Sequence, residues 1–119
     1  MTPEGKVKAA VRKVLDNFKS ELDTFWPVPS GYGPSHLDCI ICAWGRFVSI
    51  ETKAPGKKPT PRQKERIASV HRAGGIAVVI DGTHNTTTVT ELQQLLEELR
   101  HAASPDLPQV QASRRLLRG

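Results

Sequence analysis

Two acidic residues and a lysine on neighbouring apolar segments are the side chains of this sequence best suited to catalysis. Asp38 lies near the start of one segment, and Glu51 and Lys53 lie at the end of the next. Mg²⁺ is commonly bound by one or two carboxylates together with water, which leaves positions for a phosphate oxygen and a nucleophilic water. The three residues therefore predict hydrolysis of a phosphate ester, provided that the fold brings them together.

A β-hairpin brings these residues together in the predicted fold. Leu37–Ala43 and Arg46–Lys53 are rich in Ile, Val, Phe and Cys, and Trp44-Gly45 lies between them. We therefore predict two antiparallel strands joined by a two-residue turn. In the register that such a turn sets, Asp38 lies directly opposite Glu51.

The alternation of side chains along a strand assigns these residues to faces of the sheet. It places Asp38, Glu51 and Lys53 on one face, and it places on the other face Leu37, Ile41, Val48 and Ile50. Two directly opposed carboxylates repel each other and destabilise a sheet. A divalent cation between them reverses that repulsion, and Lys53 could then orient water or offset charge that develops on phosphorus.

A second interpretation of the same residues is structural. Glu-x-Lys is a common pattern, and on a strand it usually forms a weak ion pair at a solvated edge. An acid on the preceding strand and a basic segment after Lys53 favour the catalytic interpretation.

Helical patterns lie on both sides of the predicted hairpin. The first helix begins at the Thr2 cap and carries apolar residues at helical spacing through Leu22. The second begins with a capping box from Thr60 to Gln63 and ends at Gly74-Gly75.

Another strand and a third helix complete the predicted domain. The apolar stretch Ile76–Ile80 predicts a strand covered on both faces, and a capping box from Thr90 to Gln93 begins the third helix. The order α-β-β-α-β-α predicts an α/β fold with a mixed central sheet flanked by helices. We expect one domain over residues 1–103 and a loose basic tail over residues 104–119.

Composition excludes several classes of protein. The chain has 119 residues, 38% hydrophobic and 24% charged, which is typical of one globular domain. Its longest apolar stretches, Cys39–Trp44 and Ile76–Ile80, are too short to span a membrane, and the N-terminus lacks an apolar signal core. Two cysteines do not make a disulfide scaffold. We therefore expect a cytoplasmic protein without a membrane partner.

A strongly basic segment follows the second predicted strand. Between Lys53 and Arg72 there are seven basic residues and one acid, Glu65, so the segment's net charge of +6 exceeds the +5 of the whole chain. A basic loop that leads into a helix N-terminus is a good surface for phosphates, so we predict a DNA partner. The residues expected to contact DNA are Lys57, Lys58, Arg62, Lys64 and Arg66.

Other chemistries fit the sequence less well. Cys39 and Cys42 have metal-site spacing, but strand residues three apart face opposite ways, so we interpret both as buried small residues. The four histidines show no metal-ligand spacing. His36 lies two residues before Asp38 and could assist proton transfer or contact phosphate, although a plain loop residue fits its position better.

One long segment and a short motif after it carry a family resemblance: Gly45-Arg46-Phe47-Val48-Ser49-Ile50-Glu51-Thr52-Lys53-Ala54-Pro55-Gly56-Lys57-Lys58-Pro59-Thr60-Pro61-Arg62-Gln63, followed by Arg72-Ala73-Gly74-Gly75. This part of the sequence resembles a VRR-NUC domain of the stand-alone, phage-encoded kind. Together with the upstream Asp38, it is similar to the PD-(D/E)XK nuclease core. The resemblance covers about Thr2 to Asp81. Leu37 stands where the proline of the family pattern would be, and that proline shapes the backbone without taking part in the chemistry.

The resemblance implies a restriction-endonuclease-like fold and a DNA nuclease that depends on Mg²⁺ or Mn²⁺. It implies that Asp38 and Glu51 bind the metal, that Lys53 is the catalytic lysine and that Gln63 is a polar helix residue beside the site. We expect Gln63 to act in catalysis by orienting the water or Lys53. The Thr52 backbone carbonyl and Glu4 are further implied metal ligands. Glu4 also fits as an acid at a helix N-terminus, and Gln63 as part of a capping box.

For stand-alone members the resemblance implies homodimers that act on branched DNA, such as four-way (Holliday) junctions. A phage-encoded protein of this kind would act in the cytoplasm of the bacterial host. Two alternatives stay open: a basic DNA-binding module without catalytic activity, and a nuclease that acts on flaps or on nicked or linear duplex.

Overall fold

The computed structural model describes residues 1–28, 36–84 and 86–103. Its seven elements follow the order α1 Pro3–Asp16, β1 Leu22–Phe25, β2 Cys39–Ala43, β3 Arg46–Thr52, α2 Pro61–Arg72, β4 Ile76–Ile80 and α3 Val89–Ala102. The four strands form one sheet in the order β1-β2-β3-β4, antiparallel except for the parallel pair β3 and β4. The predicted α/β class with a mixed sheet is confirmed. Residues 26–34 are rich in proline and glycine, which predicts a loop. Most of this segment, and the whole 104–119 tail, lie outside the described residues.

The β2–β3 hairpin has the predicted turn and register. Trp44 and Gly45 both have positive φ, +48° and +84°, and this pair of values is what a two-residue hairpin turn of the I′ type requires. The register pairs Cys39 with Ile50 and Ala43 with Arg46, as predicted. Asp38 directly precedes Cys39 and Glu51 directly follows Ile50, so the two acids lie at the end of the paired stretch.

A substitution at Gly45 tests how much the turn contributes to the stability of this hairpin. A side chain at φ +84° costs about 1–2 kcal/mol. We therefore expect Gly45→Val to lower the free energy of unfolding in urea by that amount. Arg46→Val, one residue on at an exposed strand position, should change it by less than about 0.5 kcal/mol. Equal effects of the two substitutions would contradict this role for Gly45.

The two faces of the sheet carry separate apolar cores. On one face α1 and α3 pack on the strands, and the largest buried cluster includes Val11, Ile41, Ile50 and Leu96. On the other face a smaller cluster joins α2 to the sheet and contains Leu37, Val70 and Ala77. The C-terminal end of β3 is thus held between helices on both faces.

Leu37 lies on the opposite face from the one predicted. It packs with Val70 beneath α2, not with Ile41 and Ile50. Leu37 precedes the first residue of β2, so the alternation that holds within the strand does not extend back to it.

An edge strand was missed, and the observed order is α-β-β-β-α-β-α. The helical spacing through Leu22 was misleading, because α1 ends at Asp16 and Leu22 begins β1. Three of the four β1 residues are exposed, so β1 has no apolar alternation to reveal it. Its strand conformation depends on pairing with β2.

Helix caps were predicted correctly at two of the three helices. Thr2 caps α1, and the Thr60–Gln63 capping box begins α2 as predicted. The prediction of a box starting at Thr90 was wrong. Thr88 is the cap of α3, because it lies three residues before Glu91 and exchanges hydrogen bonds with it. None of the helices within the described ranges is long and apolar enough to cross a membrane.

Candidate active site

Asp38 and Glu51 meet where the β2–β3 pair ends. Glu51 is the penultimate residue of β3 and is only 4% exposed. The Asp38 carboxyl is hydrogen-bonded to Thr52, the residue that follows Glu51, and it acts on the Glu51 carboxyl. The two acids that the sequence singled out therefore lie close together.

This proximity changes the acidity of Glu51. Burial and the negative charge of Asp38 raise the pKa of Glu51 from its ordinary value of 4.5 to about 8. A hydrogen bond between the two carboxyl groups acts in the same direction, and the positive charge of Lys53 opposes it. Near neutral pH the pair therefore holds one proton that a divalent cation could displace.

The two oxygens of Asp38 have different partners. Oδ2 accepts hydrogen bonds from the backbone N–H of Thr52 at 2.9 Å and from its hydroxyl at 2.6 Å. Oδ1 lies 4.0 Å from the ammonium nitrogen of Lys8 on α1, and the Asp38 side chain is 27% exposed. One oxygen is thus fixed to β3, and the other faces the Lys8 ammonium group.

Gln63 links the start of α2 to the carboxylate pair. Its Oε1 accepts a hydrogen bond from the backbone N–H of Thr60 at 2.9 Å, which completes the capping box. Its Nε2 donates to Oε1 of Glu51 at 2.9 Å. The two interpretations of Gln63 are therefore compatible, since one amide group makes both contacts.

Gln63→Ala removes both contacts at once. We expect it to lower the free energy of unfolding by about 1–2 kcal/mol, because it loses half of a capping box and a partner of a buried carboxyl. Gln94→Ala, at an exposed position of α3, is the matched control and should change stability by less than about 0.5 kcal/mol. Urea denaturation of both variants measures the difference. A Gln63→Ala variant as stable as the control would show that these two hydrogen bonds contribute nothing measurable.

Lys53 and Thr52 follow Glu51 directly. Lys53 is half-buried, and its charge acts on the Glu51 carboxyl. The Lys53 backbone N–H donates to the Ile80 carbonyl at 2.9 Å, which extends the pairing of β3 with β4 beyond the end of the strand. Thr52 is fully buried. Its N–H and hydroxyl both point to Asp38, while the metal role implied for its carbonyl stays a prediction.

Among the contacts of the described residues, none joins Glu4 to Asp38 or Glu51. It is exposed in the first turn of α1, where an acid favours the positive end of the helix. Among the described residues there is no group of three or more His, Cys, Asp or Glu side chains that could hold a metal ion. Glu4 as a third ligand therefore stays a prediction.

The predicted DNA-binding residues lie on the loop after β3 and on α2. Lys57, Lys58 and Lys64 are exposed, as is Arg62. Arg66 is half-buried and contacts Nδ1 of His36 through its guanidinium group at 3.3 Å. We call these five basic residues the loop–α2 surface. His36 is thereby placed beside a predicted phosphate-binding residue.

Asp81, which the sequence analysis did not single out, anchors the basic loop. It is 1% exposed and accepts hydrogen bonds from the Gly56 N–H at 3.1 Å and from Thr83 and Thr86. Burial alone would raise the pKa of Asp81, but these hydrogen bonds outweigh it and lower that pKa to about 2. The loop after β3 is therefore tied to the loop after β4. In the sequence, the Asp81-Gly82 dipeptide indicates a turn at this position, and it was the signal that could have drawn attention to Asp81.

The two cysteines face opposite sides of β2, as predicted. Both are free; Cys39 is buried and Cys42 is exposed. Burial raises the pKa of the Cys39 thiol to about 12. The prediction that both are buried was wrong for Cys42, which lies on the face away from α1 and α3, paired with Asp23 of the edge strand β1.

Comparison with known proteins does not assign the chain to a family. It matches no protein-family model, and a search of curated proteins finds no match.

Proposed function

We propose that the protein is a divalent-metal-dependent DNA endonuclease. The observation that carries this proposal is the position of Asp38 and Glu51 close together at the end of a hairpin, Asp38 hydrogen-bonded to Thr52 and Glu51 to Gln63. Lys53 follows Thr52, and its charge acts on Glu51. A solvated strand edge does not account for this arrangement, because Glu51 is buried and its pKa is raised.

The proposed fold family is the restriction-endonuclease-like core. Supporting features are the mixed sheet, with one acid just before β2 and the acid-x-Lys pattern at the end of β3. The parallel β4 that follows through α2 and the packing of α1 on the opposite face are consistent with the same arrangement.

The donor set of the carboxylate pair fits Mg²⁺ or Mn²⁺. Both ions prefer oxygen ligands, and Mg²⁺ is usually held by one or two carboxylates with water and substrate phosphate instead of by an all-protein cage. Asp38 through Oδ1 and Glu51 would hold the ion, and the Thr52 carbonyl and Glu4 are further candidates. A bound ion of this kind polarises a phosphoryl oxygen and lowers the pKa of water.

The residues of the chain have separate roles in the proposed hydrolysis. Water adds to phosphorus, and the P–O bond to the leaving sugar oxygen breaks. The ammonium group of Lys53 stabilises the negative charge that accumulates on the phosphoryl oxygens. Gln63 holds Glu51 in place through its 2.9 Å hydrogen bond, and Thr52 holds Asp38.

Branched DNA and a homodimer are part of the proposal. The resemblance to stand-alone VRR-NUC domains supports both. One chain supplies one carboxylate pair, so paired cuts in two strands require two chains. The alternative is a basic DNA-binding module, which the net charge of +6 between Lys53 and Arg72 favours.

A cleavage assay distinguishes these functions. Purified protein is incubated with an end-labelled four-way junction, a flap, a nicked duplex and a linear duplex of matched sequence, each in Mg²⁺, Mn²⁺ or EDTA. We expect paired cuts in the junction with either metal and none in EDTA. Metal-dependent cutting of the other substrates would retain the nuclease and overturn the branch preference. Binding without cutting in either metal would overturn the nuclease and favour the binding module.

A further inference from the structure

Lys8 of α1 brings a positive charge to the carboxylate pair from the face opposite α2. Its ammonium nitrogen lies 4.0 Å from Oδ1 of Asp38, the oxygen that Thr52 does not engage. The Lys8 side chain is 35% exposed, so it lies at the edge of the site and is not enclosed by it. At this separation and exposure the ion pair contributes little to stability, so the fold does not require a lysine here.

Arg12 continues this positive charge along the same side of α1. It follows Lys8 by four residues, which places the two side chains on neighbouring turns, about 6 Å apart along the helix. Its guanidinium carbon lies 3.9 Å from the centroid of the Trp26 ring. The ring attracts the guanidinium electrostatically at this distance, and the contact does not use the N–H groups as hydrogen-bond donors.

Arg12 has no acidic partner in the part of the chain that the structure describes, where the ion pairs are Lys8 with Asp38 and Arg100 with Glu21. A cavity of about 460 Å³ opens beside Arg12 and Trp26, and Asp16, Lys19 and Asp23 also line it. A planar guanidinium next to an exposed ammonium is suited to the phosphates of a nucleic-acid strand.

We propose that Lys8 and Arg12, here called the α1 flank, form a second phosphate-binding surface for the DNA strand that enters the carboxylate pair. The inference rests on the proposed function. Because α1 and α2 cover opposite faces of the sheet, Lys8 reaches Asp38 from one face and Gln63 reaches Glu51 from the other. A strand held by both surfaces has its phosphate at the carboxylates.

DNA binding as a function of salt tests this surface. The affinity of the full-length protein for a fluorescent four-way junction is measured in EDTA by anisotropy between 50 mM and 200 mM salt. The variants are Lys8→Ala, Arg12→Ala, Arg12→Lys and the double alanine variant. Lys13→Ala is the matched control, because Lys13 is an exposed lysine on another side of the same helix. Thermal unfolding confirms that each variant is folded.

Loss of two phosphate contacts should reduce the slope of log K against log salt by about 1.8 in the double variant. We expect each single alanine variant to weaken binding about 5-fold to 10-fold at the lower salt, the control to match the wild type, and Arg12→Lys to lose less than Arg12→Ala. A double variant with the wild-type slope and affinity would overturn the α1 flank. Failure of the wild type to cleave in Mg²⁺ or Mn²⁺ is a separate result, which would overturn the nuclease.

Discussion

Replacement of Glu51 by Gln should abolish cleavage and leave DNA binding intact. Glutamine keeps the shape of the side chain and can still accept the hydrogen bond from Gln63, but it cannot contribute a negative charge to a cation. Loss of a metal ligand removes several kcal/mol of transition-state stabilisation. Because 1.36 kcal/mol is tenfold in rate, we expect cleavage to fall by about 1000-fold or more. A single-turnover assay on the four-way junction measures this loss.

The same substitution should stabilise the fold at mildly alkaline pH. The pKa of Glu51 is raised in the folded chain from 4.5 to about 8, so between these values the folded chain holds a proton that the unfolded chain has lost. The contribution of Glu51 to the free energy of unfolding is therefore fully present below pH 4.5 and is lost as the pH rises through about 8. The substituted glutamine cannot ionise, and we expect Glu51→Gln to raise the free energy of unfolding at pH 8 by about 1–3 kcal/mol and to flatten its pH dependence.

Glu65→Gln is the matched control for both effects. Glu65 is an exposed acid on α2, in the middle of the basic segment. The control should cleave like the wild type and keep the wild-type dependence of stability on pH. Cleavage by Glu51→Gln at the wild-type rate would show that Glu51 does not bind the catalytic metal. An unchanged stability profile would show that the two carboxyl groups are not coupled.

Replacement of Asp81 by Ala should cause the largest loss of stability among the changes considered. Four hydrogen bonds converge on the buried carboxylate, from the N–H groups of Gly56 and Thr83 and from the hydroxyls of Thr83 and Thr86. Alanine leaves these donors without that acceptor, and we expect a loss of about 2–4 kcal/mol in the free energy of unfolding. Urea denaturation at pH 7 measures it, with Asp23→Ala at an exposed position of β1 as the control.

Acid should destabilise the wild type through the same residue. The pKa of Asp81 is lowered in the folded chain from 3.8 to about 2, so its contribution is present above pH 3.8 and is lost as the pH falls towards 2. We expect about 2 kcal/mol of acid-dependent stability that is absent from Asp81→Ala. An Asp81→Ala variant with wild-type stability at pH 7 would contradict the anchoring role of this residue.

The core of the candidate site could be predicted because local rules determine it. Two residues at the hairpin turn set the β2–β3 register, and its last pair, Cys39 with Ile50, leaves Asp38 and Glu51 together at the end of the paired strands. The capping box of α2 fixes Gln63 at the helix start, from which its amide also reaches Glu51. Each of these relations spans fewer than about 20 residues of sequence, over which periodicity and caps are informative.

The features that were missed depend on contacts between distant parts of the chain. β1 is mostly exposed and becomes a strand only through its partner β2. Lys8 is one of several lysines on α1, and only the packing of α1 on the sheet places it near Asp38. Asp81 lies after an apolar strand as an ordinary turn residue would, and its anchoring role emerges only when the Gly56 loop folds back to it.

Manganese is the most direct probe of the carboxylate pair, because a paramagnetic ion broadens nearby amide signals even when it binds weakly. Mn²⁺ is titrated into ¹⁵N-labelled wild type, Glu51→Gln and Glu65→Gln. We predict that the amide signals of Asp38, Glu51 and Thr52 broaden first in the wild type and in Glu65→Gln, and that Glu51→Gln loses this selectivity. Equal broadening of these three signals in Glu51→Gln, or first broadening at other acids in the wild type, would contradict a metal site at Asp38 and Glu51.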